Sequence, residues 1–118
     1  MTRKEEARLA RQSIAQCERD IADAKQRACD LRLAAENQRN YALMERDLRS
    51  GDWKWNAARG YRQAYSLETQ AREQDARAAL FRSERAVERM VLARLARRVR
   101  PRPEWLQNHI DAEKAVTA

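Results

Sequence analysis

Bulky apolar side chains are scarce in this chain of 118 residues. Leu, Ile, Val and Phe number 18 together, about 15% of the chain, whereas ordinary globular folds contain at least roughly 20%. Such scarcity combined with high charge is often a sign of disorder. The chain also has only two Gly and two Pro, which excludes an α/β enzyme that binds phosphate through glycine-rich loops.

Cysteine and histidine are too few for a metal site or a disulfide framework. On one helix, Cys17 and Cys29 would be separated by about 18 Å of rise, far beyond the reach of a disulfide. His109 is the single histidine, and no Ser, Cys or pair of acids lies near it in sequence. We therefore expect no metal, no cofactor, no small-molecule substrate and no catalytic residue, and hence a protein that is not an enzyme.

Long apolar runs are also absent, since none exceeds four residues, as in 90–93. The first residues, MTRKEEARLARQ, contain no apolar segment of the kind found in signal peptides. The sequence thus predicts no signal peptide and no membrane span, and we expect a cytoplasmic location.

What the chain does contain is typical of long helices. Ala, Glu, Lys, Leu and Arg total 68 residues, about 58% of the chain. Small and apolar residues recur in the first half at alternating spacings of three and four, which is a heptad pattern. With the polar Gln38 completing the row, these are Ala7, Ala10, Ile14, Cys17, Ile21, Ala24, Ala28, Leu31, Ala35 and Ala42.

The pattern stops at Ser50-Gly51-Asp52 and then repeats. Gly51 is predicted to be the left-handed end of the first helix, and Asp52 the N-cap of the second. If the chain folds back there, facing residues have numbers that sum to about 102. Seven positions of the first row then face seven positions of the second row, and most pairs place a large residue against a small one. The pairs are Ile21/Phe81, Ala24/Ala78, Ala28/Gln74, Leu31/Ala71, Ala35/Leu67, Gln38/Ala64 and Ala42/Gly60.

The second row is less regular after Phe81. It skips near Glu84 and Arg85 and is expected to resume at Val87, Val91, Leu95 and Val99. Such a skip predicts a stutter, where the supercoil unwinds locally. Acid-first pairs four residues apart are expected to stabilise the outer surface, at Asp23/Arg27, Glu45/Arg49, Glu68/Arg72 and Glu73/Arg77.

The predicted fold is therefore all-α. A long antiparallel two-helix coiled-coil hairpin is expected over about 2–49 and 53–99, followed by a short C-terminal helix over about 103–116. Residues 1–99 form the hairpin and 100–118 the proline-containing linker and short helix, within one domain overall.

Charge is concentrated at the end of the hairpin that holds the chain termini. The net charge is +7, and the segment 86–103 carries six basic residues against one acid. Folding back brings this segment beside the first turns of the chain. The resulting basic pole is predicted to bind an anionic partner, through Arg3, Lys4, Arg8, Arg11, Arg94, Arg97, Arg98, Arg100 and Arg102. The structural alternative, in which cations at a helix C-terminus stabilise its dipole, does not extend to the N-terminal residues.

The opposite end is rich in aromatic residues. Trp, Tyr and Arg are enriched in the residues that dominate protein interfaces. The aromatic tip is predicted to bind a partner through Tyr41, Trp53, Trp55, Arg59, Tyr61, Arg62 and Tyr65. Trp53 and Trp55 are two positions apart and point to different faces, so at least one should be exposed to solvent or covered by another chain. Two alternatives are base stacking on nucleic acid, and a purely structural plug in which Tyr41 packs on Tyr61 and one Trp caps the seam.

Three hypotheses for function follow. The first is a non-enzymatic interaction or assembly subunit of a larger complex, with a protein partner or self-association. The second is a basic helical subunit that binds nucleic acid through phosphates, independently of sequence, in a ribonucleoprotein or a phage or mobile-element complex. The third follows from shape: in length and predicted topology the chain is similar to the coiled-coil stalk of a bacterial export ATPase, although no diagnostic motif supports that family.

Overall fold

The computed structural model describes residues 1–98 and 104–117 and consists of three helices in that part of the chain. Helix α1 spans Arg3–Leu48, α2 spans Trp53–Arg98 and α3 spans Glu104–Thr117. Helices α1 and α2 pack against each other as a hairpin, as the sequence predicts, and at 46 residues each they are about 69 Å long. Within the described ranges α3 contacts neither of them.

Helix α1 begins with a capping box. The Thr2 side chain accepts a hydrogen bond from the Glu5 backbone N–H at 3.2 Å, and the Thr2 N–H donates to the Glu5 carboxylate at 3.3 Å. Two backbone donors that a helix start leaves unpaired are thereby satisfied.

The turn between α1 and α2 differs from the prediction in one respect. The left-handed residue is Arg49, with φ of 47°, and not Gly51. The left-handed position directly follows the last helical residue, Leu48, so the cap falls two residues before the glycine. The Arg49 N–H donates to the Glu45 carbonyl at 2.9 Å, and Asp52 directly precedes α2, where its carbonyl accepts from the Asn56 N–H at 2.9 Å.

Small residues form the contact row between α1 and α2, here called the seam. The seam excludes water because alanine and glycine let the two backbones approach closely. Buried on the α1 side are Ala10, Cys17, Ile21, Ala24, Ala28, Ala35 and Ala42, and on the α2 side Ala57, Gly60, Ala64, Ala71, Ala78 and Leu95.

The predicted stutter is wrong. Helix α2 is unbroken, and after Phe81 the seam continues at three- and four-residue spacing through Arg85, Glu88, Leu92 and Leu95. Long charged side chains can lie at the edge of a seam with their ends in water, so Arg85 and Glu88 continue the row. As a result Val87 is 58% exposed and Val91 37% exposed, while Val99 lies outside the described residues.

The two helices are also joined by ion pairs along one flank of the seam. Arg32 pairs with Asp75, Arg39 with Glu68, and Arg89 with Glu18 at 3.6 Å. The α1 members are separated by multiples of seven residues, so they occupy the same heptad position. All three pairs agree with one register, the one that the seam predicts.

The acid-first pairs expected along each helix are not the ones that form in the described ranges. Glu68 contacts Arg39 of the other helix instead of Arg72, and the Glu45 carboxylate accepts from Ser50 Oγ at 2.7 Å. Charges that flank the seam therefore connect the helices to each other.

Candidate interaction sites at the two ends of the hairpin

The indole of Trp53 extends the seam at the tip. Trp53 is half-buried, and it lies seven residues before the buried Gly60, in the same heptad row. The Arg49 guanidinium lies 5.8 Å from the centre of its ring and the Lys54 ammonium 5.6 Å from it. Both are cation–π contacts. The heptad position and partial burial of Trp53 agree with the part of the plug alternative in which one Trp caps the seam.

Trp55 has a different environment. Its side chain is 58% exposed, and the Arg59 guanidinium lies 5.4 Å from the centre of its ring. The expectation that one of the two tryptophans is exposed is therefore confirmed. An exposed tryptophan with arginine stacked on it presents both a large apolar face and a charge to a partner.

The three tyrosines of the tip lie on different faces. Tyr41 lines a cavity of about 260 Å³ with Gln38, Arg59 and Gln63, and it is 39% exposed. Tyr61 occupies the opposite flank of the seam, in the heptad row of Glu68 and Asp75, so the packing of Tyr41 on Tyr61 in the plug alternative is wrong. Tyr65 is 67% exposed, and Arg62 is exposed beside it.

Aliphatic residues of the tip extend this surface and were missed from the sequence. Leu43, Met44 and Leu48 are 37%, 48% and 69% exposed. Their exposure could have been predicted from the sequence, because none of the three falls on the heptad row that marks the seam. A large apolar residue off that row, close to exposed aromatics, belongs to the outer surface.

The basic pole is brought together by the hairpin. Arg94 and Arg97, near the end of α2, are exposed at the same end of the rod as the first two turns of α1. Within the described parts of the chain, no ion pair involves Lys4, Arg8, Arg11, Arg94 or Arg97. The predicted pole also included Arg98, Arg100 and Arg102, but the side chain of Arg98 and both other residues lie outside the described part of the chain.

An apolar groove lies within this pole, here called the base groove. It has a volume of about 440 Å³ and opens between the start of α1 and the end of α2. Its apolar lining is Ala7, Leu92, Leu95 and Ala96, and its basic rim is Arg3, Lys4 and Arg11. In the described ranges α3 does not contact the residues that end the seam on this side.

Other chemistry-bearing residues lie apart from both ends. Cys17 is buried in the seam and Cys29 is exposed. Burial raises the pKa of the Cys17 thiol, and the negative charge of Glu84 raises it further. His109 is exposed on α3 and lies 3.1 Å from the Glu113 carboxylate.

Metal-ligating clusters and membrane-spanning helices are both absent from the described ranges. No three or more His, Cys, Asp or Glu side chains among these residues are arranged to hold a metal ion. No helix in the same ranges combines the length and the apolar character that crossing a bilayer requires.

The chain has no match among protein-family models, curated proteins or solved structures.

Proposed function

We propose that the chain is a non-enzymatic helical subunit of a larger complex and that the aromatic tip is its contact with a partner protein. The observation that carries this proposal is the concentration of exposed large apolar side chains, one of them a tryptophan, at one end of a charged rod. Trp55, Tyr65 and Leu48 are 58%, 67% and 69% exposed.

Exposing such side chains has a free-energy cost that a partner removes. Burial of one large side chain contributes about 1.5–3 kcal/mol, and Trp, Tyr and Arg are enriched among interface hot spots. The Arg59 guanidinium lies over the Trp55 ring, so the tip offers a partner an aromatic face and a positive charge together.

A rigid rod also fits an assembly role. The seam consists largely of alanine, and each alanine buries less apolar area than a leucine would. A two-helix hairpin of this kind gains stability when a partner binds its folded form. The length of about 69 Å keeps the tip far from the basic pole, so two contacts can be made at once.

Photo-crosslinking in the source cells tests this proposal. Tyr65 is replaced by a photoreactive phenylalanine analogue, and as a matched control the same analogue replaces Leu80, which is 65% exposed in the middle of the hairpin. The expected result is a discrete crosslinked protein from position 65 that is absent from position 80.

The purified crosslinked protein is then titrated with the chain. Trp55→Ala is expected to weaken binding by at least about tenfold, as at other hot spots, and Leu80→Ala to leave it unchanged. Equal affinity of the Trp55→Ala variant and the unaltered chain, or the same crosslinks from both positions, would overturn the proposal.

Nucleic-acid binding at the basic pole is the second candidate. Its specific support is that Lys4, Arg8, Arg11, Arg94 and Arg97 are exposed and form no ion pair in the described ranges. Such side chains are available to phosphates, and binding through phosphates weakens steeply as salt concentration rises.

The test is a titration of duplex and single-stranded oligonucleotides at salt concentrations from roughly 50 to 200 mM. We expect the affinity to fall steeply over that range. Replacement of Arg94 and Arg97 by glutamine is expected to make the binding constant less dependent on salt. The slope of its logarithm against the logarithm of the salt concentration should fall by about one for each phosphate that the variant no longer neutralises. Absence of binding at the lowest salt concentration excludes this function.

A further inference from the structure

Helix α3 has an apolar surface that neither α1 nor α2 covers in the described ranges. Trp105 is 70% exposed and Val116 is 86% exposed, and Leu106 and Ile110 lie one turn apart on the same side of the helix. Within the described ranges α3 touches neither α1 nor α2. An isolated helix of 14 residues is only marginally stable in water, so α3 requires a surface to pack on.

The charge of α3 identifies the kind of surface. Helix α3 has three acids, Glu104, Asp111 and Glu113, against one base, Lys114. The base groove has the opposite character, an apolar floor with the rim of Arg3, Lys4 and Arg11. An acidic amphipathic helix is therefore complementary to this groove in both polarity and charge.

The spacing of the apolar side chains also matches. Leu106 and Ile110 are four residues apart on α3, and Leu92 and Ala96 are four residues apart on the floor of the groove. Both intervals equal about 6 Å along a helix axis. When the two helix axes are roughly parallel or antiparallel, each of the two α3 side chains can therefore contact one of the two groove residues.

The position of α3 favours a groove on another molecule. The chain measures 101 Å along its longest axis, whereas the hairpin helices account for about 69 Å. In the described ranges α3 makes no contact with α1 or α2, so it does not occupy the groove of its own hairpin. A second copy placed base to base offers each α3 a groove, and the reciprocal exchange closes with two-fold symmetry.

We propose that the chain forms a symmetric dimer in which α3 of each copy lies in the base groove of the other. Reciprocal exchange covers two helix faces and two grooves, which brings the buried area toward the roughly 1,200–2,000 Å² of stable interfaces. Both aromatic tips remain free at the outer ends of the dimer. The inference goes beyond the proposed function, because it concerns contact between copies and does not involve the tip.

A charge-exchange experiment tests the dimer. The first variant carries Lys4→Glu and Arg11→Glu, which make the rim acidic; the second carries Asp111→Lys and Glu113→Lys, which make α3 basic. Masses are measured by analytical ultracentrifugation, and circular dichroism checks that each variant stays helical. The unaltered chain is expected at twice its mass of 13.8 kDa, and each variant alone as a monomer, with at least about a tenfold higher dissociation constant.

Mixing the two variants gives the decisive result. In a mixed dimer each acidic groove meets a basic α3 and each basic groove meets an acidic α3, so the dimer is expected to return. A control with Asp23→Lys and Glu73→Lys, two exposed sites on the hairpin, changes the net charge as the second variant does and should stay dimeric.

Three outcomes overturn the inference. They are an unaltered chain that is monomeric, variants that remain dimeric alone, and a mixture that stays monomeric although the unaltered chain is a dimer. If α3 instead folds onto its own groove, the chain is monomeric and mixing restores nothing. None of these outcomes affects crosslinking at Tyr65, so the two proposals fail independently.

Discussion

Gly60 of α2 packs directly against Ala42 of α1 near the tip. A Cβ atom added at Gly60 would lie 3.0 Å from the Ala42 Cβ and 3.1 Å from the Gln38 carbonyl oxygen. The obstructing atoms belong to the backbone or are attached directly to it, so they cannot move aside by a change of rotamer. Glycine is therefore required here by packing, although it is a weak helix former.

Gly60→Ala is predicted to destabilise the hairpin. Alanine in a helix gains about 1 kcal/mol over glycine, whereas overpacking costs about 1–3 kcal/mol. We expect a net loss of about 1 kcal/mol in the free energy of unfolding, and hence a fall in Tm of roughly 4 °C, measured by circular dichroism.

Gly51→Ala is the matched control for this substitution. Nothing lies within 4 Å of a Cβ built at Gly51, and its φ is not positive. The Gly51→Ala variant should keep the Tm of the unaltered chain or slightly exceed it. A Gly60→Ala variant as stable as Gly51→Ala would show that the two helices are further apart than the structure indicates.

Gln74→Leu is predicted to stabilise the hairpin. The Gln74 Oε1 atom is buried without a hydrogen-bond partner in the described chain, and such an atom costs about 1–3 kcal/mol. Leucine has a similar size and no polar atom, so chemical denaturation should show a gain of about 1 kcal/mol. Gln12→Leu, at an exposed position, should give no gain; an equal gain at both sites would contradict the argument.

The seam could be predicted from the sequence because its pattern is local. Alternation of three and four residues requires only the helical repeat, and the fold-back at Gly51 fixed which residues face each other. The contact between Gly60 and Ala42 is one of the seven predicted pairs. The exposure of one tip tryptophan followed from the same geometry.

The errors arose where residue type and heptad position disagree. Valine at 87 and 91 indicated a displaced seam, yet the helix keeps its register and places Arg85 and Glu88 on the row. Apolar character alone does not reveal that a long charged side chain can lie at a seam edge. The left-handed Arg49 was missed because glycine is the usual residue at that position.

Lys25 is predicted to destabilise the hairpin, because it interrupts the row of ion pairs between the helices with a repulsion. It lies seven residues from both Glu18 and Arg32, whose partners are Arg89 and Asp75. In the same register the residue across from Lys25 is Arg82, so two positive charges face each other.

Lys25→Glu should therefore stabilise the hairpin by about 0.2–1 kcal/mol. Lys25→Gln, which removes the repulsion without adding an attraction, should give a smaller gain. Both gains should shrink as salt is added, because these side chains are exposed and screened. A Lys25→Glu variant that is no more stable than Lys25→Gln in urea unfolding at low salt would place Arg82 out of reach of residue 25.

The two cysteines are predicted to differ in reactivity. Cys17 is buried and Cys29 is exposed, and only a thiolate attacks a disulfide reagent. With an aromatic disulfide as the probe, Cys29 should react at the rate of a free thiol. Cys17 should react at least about a hundredfold more slowly, at a rate set by opening of the hairpin. Cys29→Ala isolates the slow reaction, and equal rates at both positions would contradict burial of Cys17.

The raised pKa of Cys17 also predicts how stability depends on pH. Burial, and then the charge of Glu84, raise the pKa of this thiol in the folded chain, whereas the unfolded thiol keeps its ordinary value of about 8.5. Below that pH both states are protonated and the thiol contributes fully to stability. As the pH rises further the unfolded state loses its proton first, so the free energy of unfolding falls. Cys17→Ala should reduce this fall in the free energy of unfolding between roughly pH 8 and 10.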